Sequence, residues 1–356
     1  MPVGDDQPVG RVGSLLAMRA VRVALLPAAV AGLLLSVTLA TPGAVMGSAL
    51  QSFGVGAARA HKQLTPAGLP APARLVPFPG NVATGEGVWH PAGRLVGGRP
   101  AVYETVLAPP GGGAPAGVAW MDTRLLAARL YSGSQSPGWI TGGWKYTAPV
   151  LPGDARRLVA AFNGGFKFPQ SDGGYYSEGH LVFAMRNGAA SLVIYKGGGV
   201  TVGAWGSNVR MTPNVASVRQ NLNLLVDGGR PTQLAGTPNW GEWGATCGAS
   251  SCAGPGIEHQ WRSGLGVTAK GALVYALGPG LAPLELAQLL ARAGAVRAME
   301  LDINPDWPVF ATYDPPSPNG LAAPANGTKL LASSVQGPWT FFEPWWARDF
   351  VAMLAR

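Results

Sequence analysis

Apolar and polar positions alternate in short runs from about Pro100 onward. The runs Ala101–Leu107, Gly117–Asp122, Leu158–Phe162 and Leu222–Val226 are divided by Gly-rich turns, the pattern of strands. Two hairpins are predicted. Leu181–Met185 and Ser191–Tyr195 flank Arg186, Asn187 and Gly188, while Leu265–Thr268 and Ala272–Tyr275 flank Ala269, Lys270 and Gly271; each turn has a glycine available for positive φ. Helical spacing is clearest at 283–293. Pro283 suits a first turn, Glu285 complements the N-terminal dipole, and Leu286, Leu289, Leu290 and Ala293 share a face before Gly294. A second helix is expected over Trp345–Leu354, with Trp346, Phe350, Met353 and Leu354 on one stripe behind Pro344. The class that follows is α+β: a β-rich mixed or antiparallel sheet core with a few packed helices.

Upstream the pattern changes. Residues 23–40 run uncharged and almost wholly apolar behind Arg11, Arg19 and Arg22, which predicts a membrane segment with the remainder of the chain outside. Read instead as a signal peptide, the same segment is cleaved at a small-x-small site, at Thr38–Ala40 or Ala58–Ala60, and the product is secreted. The organisation expected is a basic segment at 1–22, an anchor or signal at 23–40, a Pro/Ala/Gly-rich linker at 41–80, and a single exported domain at 81–356. Its location is the cell membrane with the domain extracytoplasmic, or the medium if the segment is removed.

Composition narrows the picture. With 47% apolar residues and 12 Trp the chain can bury a sizeable core, yet only 12% of its 356 residues are charged. Its 52 Gly and 32 Pro mark a loop-rich fold. The net charge is +8, but no Lys/Arg run interleaves with aromatics, so a nucleic-acid partner is disfavoured. The two cysteines, Cys247 and Cys252, are spaced to staple a short loop in an oxidising compartment, with a pair of free thiols as the alternative; a thiolate metal site has too few sulfurs.

Candidate chemistry gathers at a few places. Asn163, Gly164, Gly165 and Phe166 follow a predicted strand, and the glycine pair either turns backbone N–H groups toward an anion or makes a tight turn. Arg297–Ile303 reads as a strand with Glu300, Asp302 and Asn304 on one face; positions i and i+2 lie about 6.6 to 6.8 Å apart, so the two carboxyls can influence one another. A solvated face, or a salt bridge to Arg297 or Arg262, is the plainer reading of the same strand. Arg262 can present a guanidinium fork to phosphate, and Glu178 and Asp227 are further loop carboxylates, candidates for substrate binding or plain turn residues. Trp139–Trp144, Trp240–Trp243 and Trp345–Trp346 are suited to stacking on sugar rings or to core packing. No GxGxxG after a strand, GxxxxGK[ST], HExxH or GxSxG motif is present.

Taken in order, Phe162–Phe166, Trp261–Thr268, a helix and Ala298–Asp302 resemble the phosphodiester glycosidase family over residues 155–350. The family's usual run is Asn-Gly-Gly-Phe-Phe, an Arg-Thr-Ala-Ile-Gly-like segment, and Leu-Asp-Gly-Gly-Gly-Ser. The match falls on Asn163, Gly164, Gly165, Phe166, Arg262, Gly266, Leu301 and Asp302, but Ile303, Asn304, Pro305, Asp306 and Trp307 stand where the family has its glycines. The resemblance implies hydrolysis of a sugar-1-phosphodiester in an envelope or extracellular glycan, needing no cofactor. It assigns Asp302 and Glu300 to carboxylate work, Arg262, Gly164 and Gly165 to the phosphate, and Asn163 to the sugar. Two other readings stand beside it. One is a non-catalytic polysaccharide-binding envelope protein, favoured by the altered loop. The other is a metal-dependent phosphodiesterase placing Glu300, Asp302, Asp306 and Asp227 around a divalent cation.

Overall fold

Ala116–Met121 and Leu158–Asn163 are buried at every position, as strands must be when both faces of their sheet are covered. The computed structural model describes residues 67–80, 84–237 and 259–356. Its strands begin with β1 (His90–Ala92), β2 (Val102–Leu107), β3 (Ala116–Met121) and β4 (Leu126–Tyr131). A one-turn helix α1 (Pro152–Ala155) precedes β5 (Leu158–Asn163), β6 (Tyr175–Ser177), β7 (His180–Phe183), β8 (Ala190–Tyr195), β9 (Val200–Ala204) and β10 (Val215–Gln220). Then come β11 (Leu224–Asp227), β12 (Arg230–Pro231), β13 (Gln260–Thr268) and β14 (Leu273–Leu281), which lead into helix α2 (Pro283–Arg292). β15 (Ala295–Glu300), β16 (Phe310–Tyr313), β17 (Gly327–Lys329) and β18 (Phe350–Ala355) complete the order.

These strands make three sheets, ordered β1-β2-β3-β14-β13-β15-β11-β12, β7-β6-β10-β8-β9 and β17-β16-β5-β18-β4. A shared core joins them, with Leu130 and Phe162 from one sheet, Leu192 from another, and Leu265, Tyr275 and Met299 from the largest. On the other face of the largest sheet, α2 packs Leu286, Leu289 and Leu290 against Leu225, Val274 and Ala298. Each such leucine stabilises the fold by roughly 1.5–3 kcal/mol. Gly264 permits the close approach, because a Cβ there would lie 2.8 Å from Leu290 Cδ1. Glu285 caps the helix by accepting the Ala282 N–H at 2.8 Å.

Several expectations are met. The Leu265/Tyr275 hairpin forms as β13 and β14, with Leu265 opposite Tyr275, and α2 presents its predicted apolar face. Of the mixed or antiparallel sheets expected, the ladders between the named strands are antiparallel, and α1 and α2 are the α-helices among the described residues. Other expectations need correction. The predicted helix at Trp345–Leu354 is instead strand β18, held between β4 and β5. Phe350, Ala352 and Leu354 join one apolar cluster while Val351 and Met353 join another, so the run is apolar on both faces and imitates a helical stripe. β7 and β8 do not pair with each other, since β7 pairs with β6 and β8 with β9 and β10. The Arg186 turn between them is tied elsewhere: its N–H donates to Gln220 Oε1 at 2.7 Å and its Nη2 to the Leu222 carbonyl at 2.8 Å. The expected strand Arg297–Ile303 ends at Glu300.

The proline-rich stretch 67–80, read as linker, is bound to the domain. Leu69 is buried and its N–H donates to Asp122 Oδ2 at 2.6 Å, Trp89 Nε1 donates to the Ala73 carbonyl at 2.9 Å, and Arg292 Nη1 donates to the Val76 carbonyl at 2.6 Å. Among the described residues no helix is long and apolar enough to cross a membrane. The segment at 23–40 and the pair Cys247 and Cys252 lie outside the described residues.

Candidate active site

The ends of β5, β13 and β15 meet at one place, and Ser263 and Asn163 join them. Leu301 N–H donates to the Ser263 carbonyl at 2.8 Å and Ser263 N–H to the Asp302 carbonyl at 2.9 Å, so the ladder continues past the end of β15. Asn163 Nδ2 donates to Ser263 Oγ at 3.0 Å and to the Gly164 carbonyl at 2.8 Å. Its Oδ1 accepts from Tyr275 OH at 2.7 Å and Val309 N–H at 3.1 Å. Two donors and two acceptors are all that an amide offers, so Asn163 is a buried clamp with no group left to hold a sugar.

This clamp fixes Asp302. Its Oδ1 accepts from Ile303 N–H at 2.8 Å and Asn304 N–H at 3.1 Å, and its Oδ2 accepts from Arg348 Nη2 at 2.6 Å. Burial pushes the Asp302 carboxyl up to about 6, against the pull of Arg348 and the two backbone donors. A carboxylate has about four acceptor directions, so one on Oδ2 remains for a ligand. Asp302 opens into a cavity of about 400 Å³ whose wall also holds Phe166, Lys167, Gln170, Asn304, Trp307 and Arg348. Lys167 is exposed there, and Arg348 lies over the Trp307 ring at 5.0 Å. Gln170 Oε1 and Arg348 Nε are buried without a hydrogen-bond partner among the described residues, which leaves an acceptor and a donor in the cavity wall to be satisfied.

Beneath the cavity the glycine pair serves close packing. Gly164 N–H donates to the Asp349 carbonyl at 2.8 Å and Phe166 N–H to Asn221 Oδ1 at 2.9 Å, so these two N–H groups are not available to a phosphate. Neither glycine has the positive φ of a nest. A Cβ on Gly164 would come within 2.2 Å of Asp349 Oδ2, and one on Gly165 within 2.6 Å of Asn221 Oδ1. Asp349 is itself paired with buried Arg219, whose Nε donates to Oδ2 at 2.9 Å and whose Nη1 donates to the Gln220 carbonyl at 2.6 Å.

The remaining sequence candidates lie elsewhere. Arg262 and Glu300 pair with each other, Nη1 to Oε1 at 2.5 Å, on the α2 side of the sheet, and Arg262 Nε donates to the Leu281 carbonyl at 2.6 Å. Burial raises the Glu300 carboxyl and Arg262 opposes it. Neither residue lines the Asp302 cavity. Glu178 accepts the Lys145 and Tyr146 N–H groups, both at 2.9 Å, beside a different cavity of about 370 Å³. Asp227 is exposed and caps its own turn through Gly228 N–H at 3.0 Å. Among the described residues no three His, Cys, Asp or Glu side chains gather as a metal site, so Glu300, Asp302, Asp306 and Asp227 do not surround one cation. Sequence reasoning missed Arg348, Lys167 and Gln170. The available signal was the charged pair Arg348 and Asp349 inside an otherwise apolar run.

Residues 156–302, a stretch that spans Asn163, Arg262 and Asp302, match the phosphodiester glycosidase family model. The described domain is similar to the zebrafish N-acetylglucosamine-1-phosphodiester alpha-N-acetylglucosaminidase catalytic domain, auto-inhibited by its pro-peptide. The two are 14% identical with a TM-score of 0.41, over 75% of this chain and 87% of that one. A hypothetical protein from Synechocystis is 13% identical with a TM-score of 0.38, over 75% of this chain and 64% of the other. No curated protein matches the chain.

Proposed function

We propose that this protein is an extracytoplasmic hydrolase that cleaves the glycosidic bond of a sugar-1-phosphodiester at the Asp302 cavity. The observation that carries the reading is that Asp302, the last residue of the family match, turns a buried carboxylate toward a cavity that also holds Arg348 and Lys167. Breaking the bond from C1 to oxygen sends its electron pair to the phosphate, which leaves as a monoester anion. The oxygen of water takes its place on C1 as a hydroxyl that keeps one proton, and the other proton passes to solvent. A strong general acid is dispensable because the leaving group is already stable. Ionised Asp302 faces the positive charge that develops at C1, while Lys167 and Arg348 balance the phosphate. No cofactor enters this scheme, and treatment with a chelator is expected to leave the activity in place.

Incubation of the protein with a panel of sugar-1-phosphodiesters tests the reading. Free sugar and phosphomonoester are expected in equal amounts, falling at least about a hundredfold in Asp302→Asn. Unchanged turnover in that variant removes Asp302 from the site. Binding of glycan with no hydrolysis anywhere in the panel assigns the cavity to a carbohydrate-binding protein.

A further inference from the structure

Two tryptophan pairs stand at and beside the Asp302 cavity. Trp307 lines the cavity and meets Trp346 edge to face at 5.5 Å, and Trp345, the residue before Trp346 in the chain, meets Trp139 at 5.4 Å. The outer two rings are 57% and 67% exposed for Trp139 and Trp345, an apolar pair held together in water. Their support is built into the fold. Ser134 N–H donates to the Trp346 carbonyl at 2.9 Å, Ser134 Oγ to the Trp345 carbonyl at 2.6 Å, and Ser136 N–H to the Ala347 carbonyl at 2.9 Å. Trp345 also holds φ at 65°, a left-handed conformation uncommon for a bulky residue.

The two loops that carry the outer rings also build the cavity wall, through Gln135, Ser136, Ala347 and Arg348. Trp139 is three residues from Ser136 and Trp345 two from Ala347, which limits the Cα separations to about 11 Å and about 7 Å. The platform is therefore within reach of the sugar unit next to one bound at Asp302.

We propose that Trp139 and Trp345 are a stacking platform for a neighbouring sugar unit, so that the ligand of this site is a glycan chain rather than an isolated sugar phosphodiester. The indole faces match the apolar C–H face of a pyranose, and the indole N–H is a polar handle for its hydroxyls. Residues 137–144 and 344–347 carry no charged side chain, which suits a neutral sugar face and not a nucleic-acid strand, whose backbone calls for Lys and Arg. The identity of the cleaved bond rests on the function proposed above; binding of the chain does not.

The test uses full-length Asp302→Asn protein, titrated with glucose, mannose, galactose and N-acetylglucosamine and with their hexasaccharides, followed by tryptophan fluorescence and calorimetry. At least one hexasaccharide is expected to bind about tenfold more tightly than its monosaccharide. Trp139→Ala is expected to erase that ratio and Trp139→Tyr to keep most of it. Trp345→Asn, which retains a residue tolerant of the left-handed turn, is expected to erase it as well. A ratio near one in every series, or one that survives both truncations, overturns the platform. So does a dimer that Trp139→Ala dissolves in sedimentation, which would make the pair a subunit interface. If chains bind in this length-dependent way but the unsubstituted protein releases no product, the platform stands and the hydrolase reading falls.

Discussion

Asp302 illustrates how position sets chemistry for a single side chain. Burial raises its carboxyl to about 6 while Arg348 and two backbone N–H groups hold it down, so it is ionised at neutral pH and protonated in mild acid. A reaction that uses the ionised form loses rate as pH falls through about 6. Arg348→Gln removes the charge that lowers this value, so the acid limb of the pH–rate profile is expected to move to higher pH; an unmoved limb would show that another group controls it. Asp302 was legible in the sequence because it ends a recognisable run. Arg348 was not, because nothing local links it to Asp302 across 46 positions of chain. Glu178 and Asp227, expected at the substrate, cap local backbone instead, the commoner use of an acidic residue in a loop.

Among the elements, those defined by local periodicity were read correctly and those defined by their neighbours were not. α2 and the β13/β14 hairpin carry their own signals in spacing, cap and turn. β18 carries an apolar run that a helix or a doubly covered strand satisfies equally, and its insertion between β4 and β5 decides the matter. The pairing of β7 with β6 depends on where Gln220 and Leu222 tie the Arg186 turn, contacts more than 30 residues away in sequence. The turn after β5 was legible as a glycine pair, but its purpose was not. Gly164 is there to let Asp349 approach, so Gly164→Ala is expected to destabilise the protein by about 1–3 kcal/mol through overpacking against that carboxylate. Equilibrium denaturation with urea measures the change, and a loss below about 0.5 kcal/mol would show that the turn yields without strain.

Across the whole molecule, the sheets are joined by apolar contacts with a few buried polar groups between them. Glu104 on β2 is one, reaching Thr312 on β16 in a second sheet, and burial pushes its carboxyl up to about 7 although Thr312 lowers it. Its Oε1 is buried without a hydrogen-bond partner among the described residues. The folded state thus binds this proton more tightly than the unfolded chain. Stability is greatest below the unfolded value of about 4.5 and declines as pH rises through about 7, by up to about 3 kcal/mol. Glu104→Gln is expected to flatten this part of the thermal-unfolding profile between pH 5 and 8 and to raise the midpoint at pH 8. An unchanged slope would place the pH dependence elsewhere. On the proposed function, the Asp302 cavity directs water to a sugar carbon and not to phosphorus. Hydrolysis of a sugar-1-phosphodiester in water labelled with heavy oxygen, with the phosphomonoester analysed by mass, separates the two. An unlabelled phosphomonoester, and loss of both products in Asp302→Asn, is the expected result; label in the phosphate would place the attack at phosphorus and overturn the glycosidase reading.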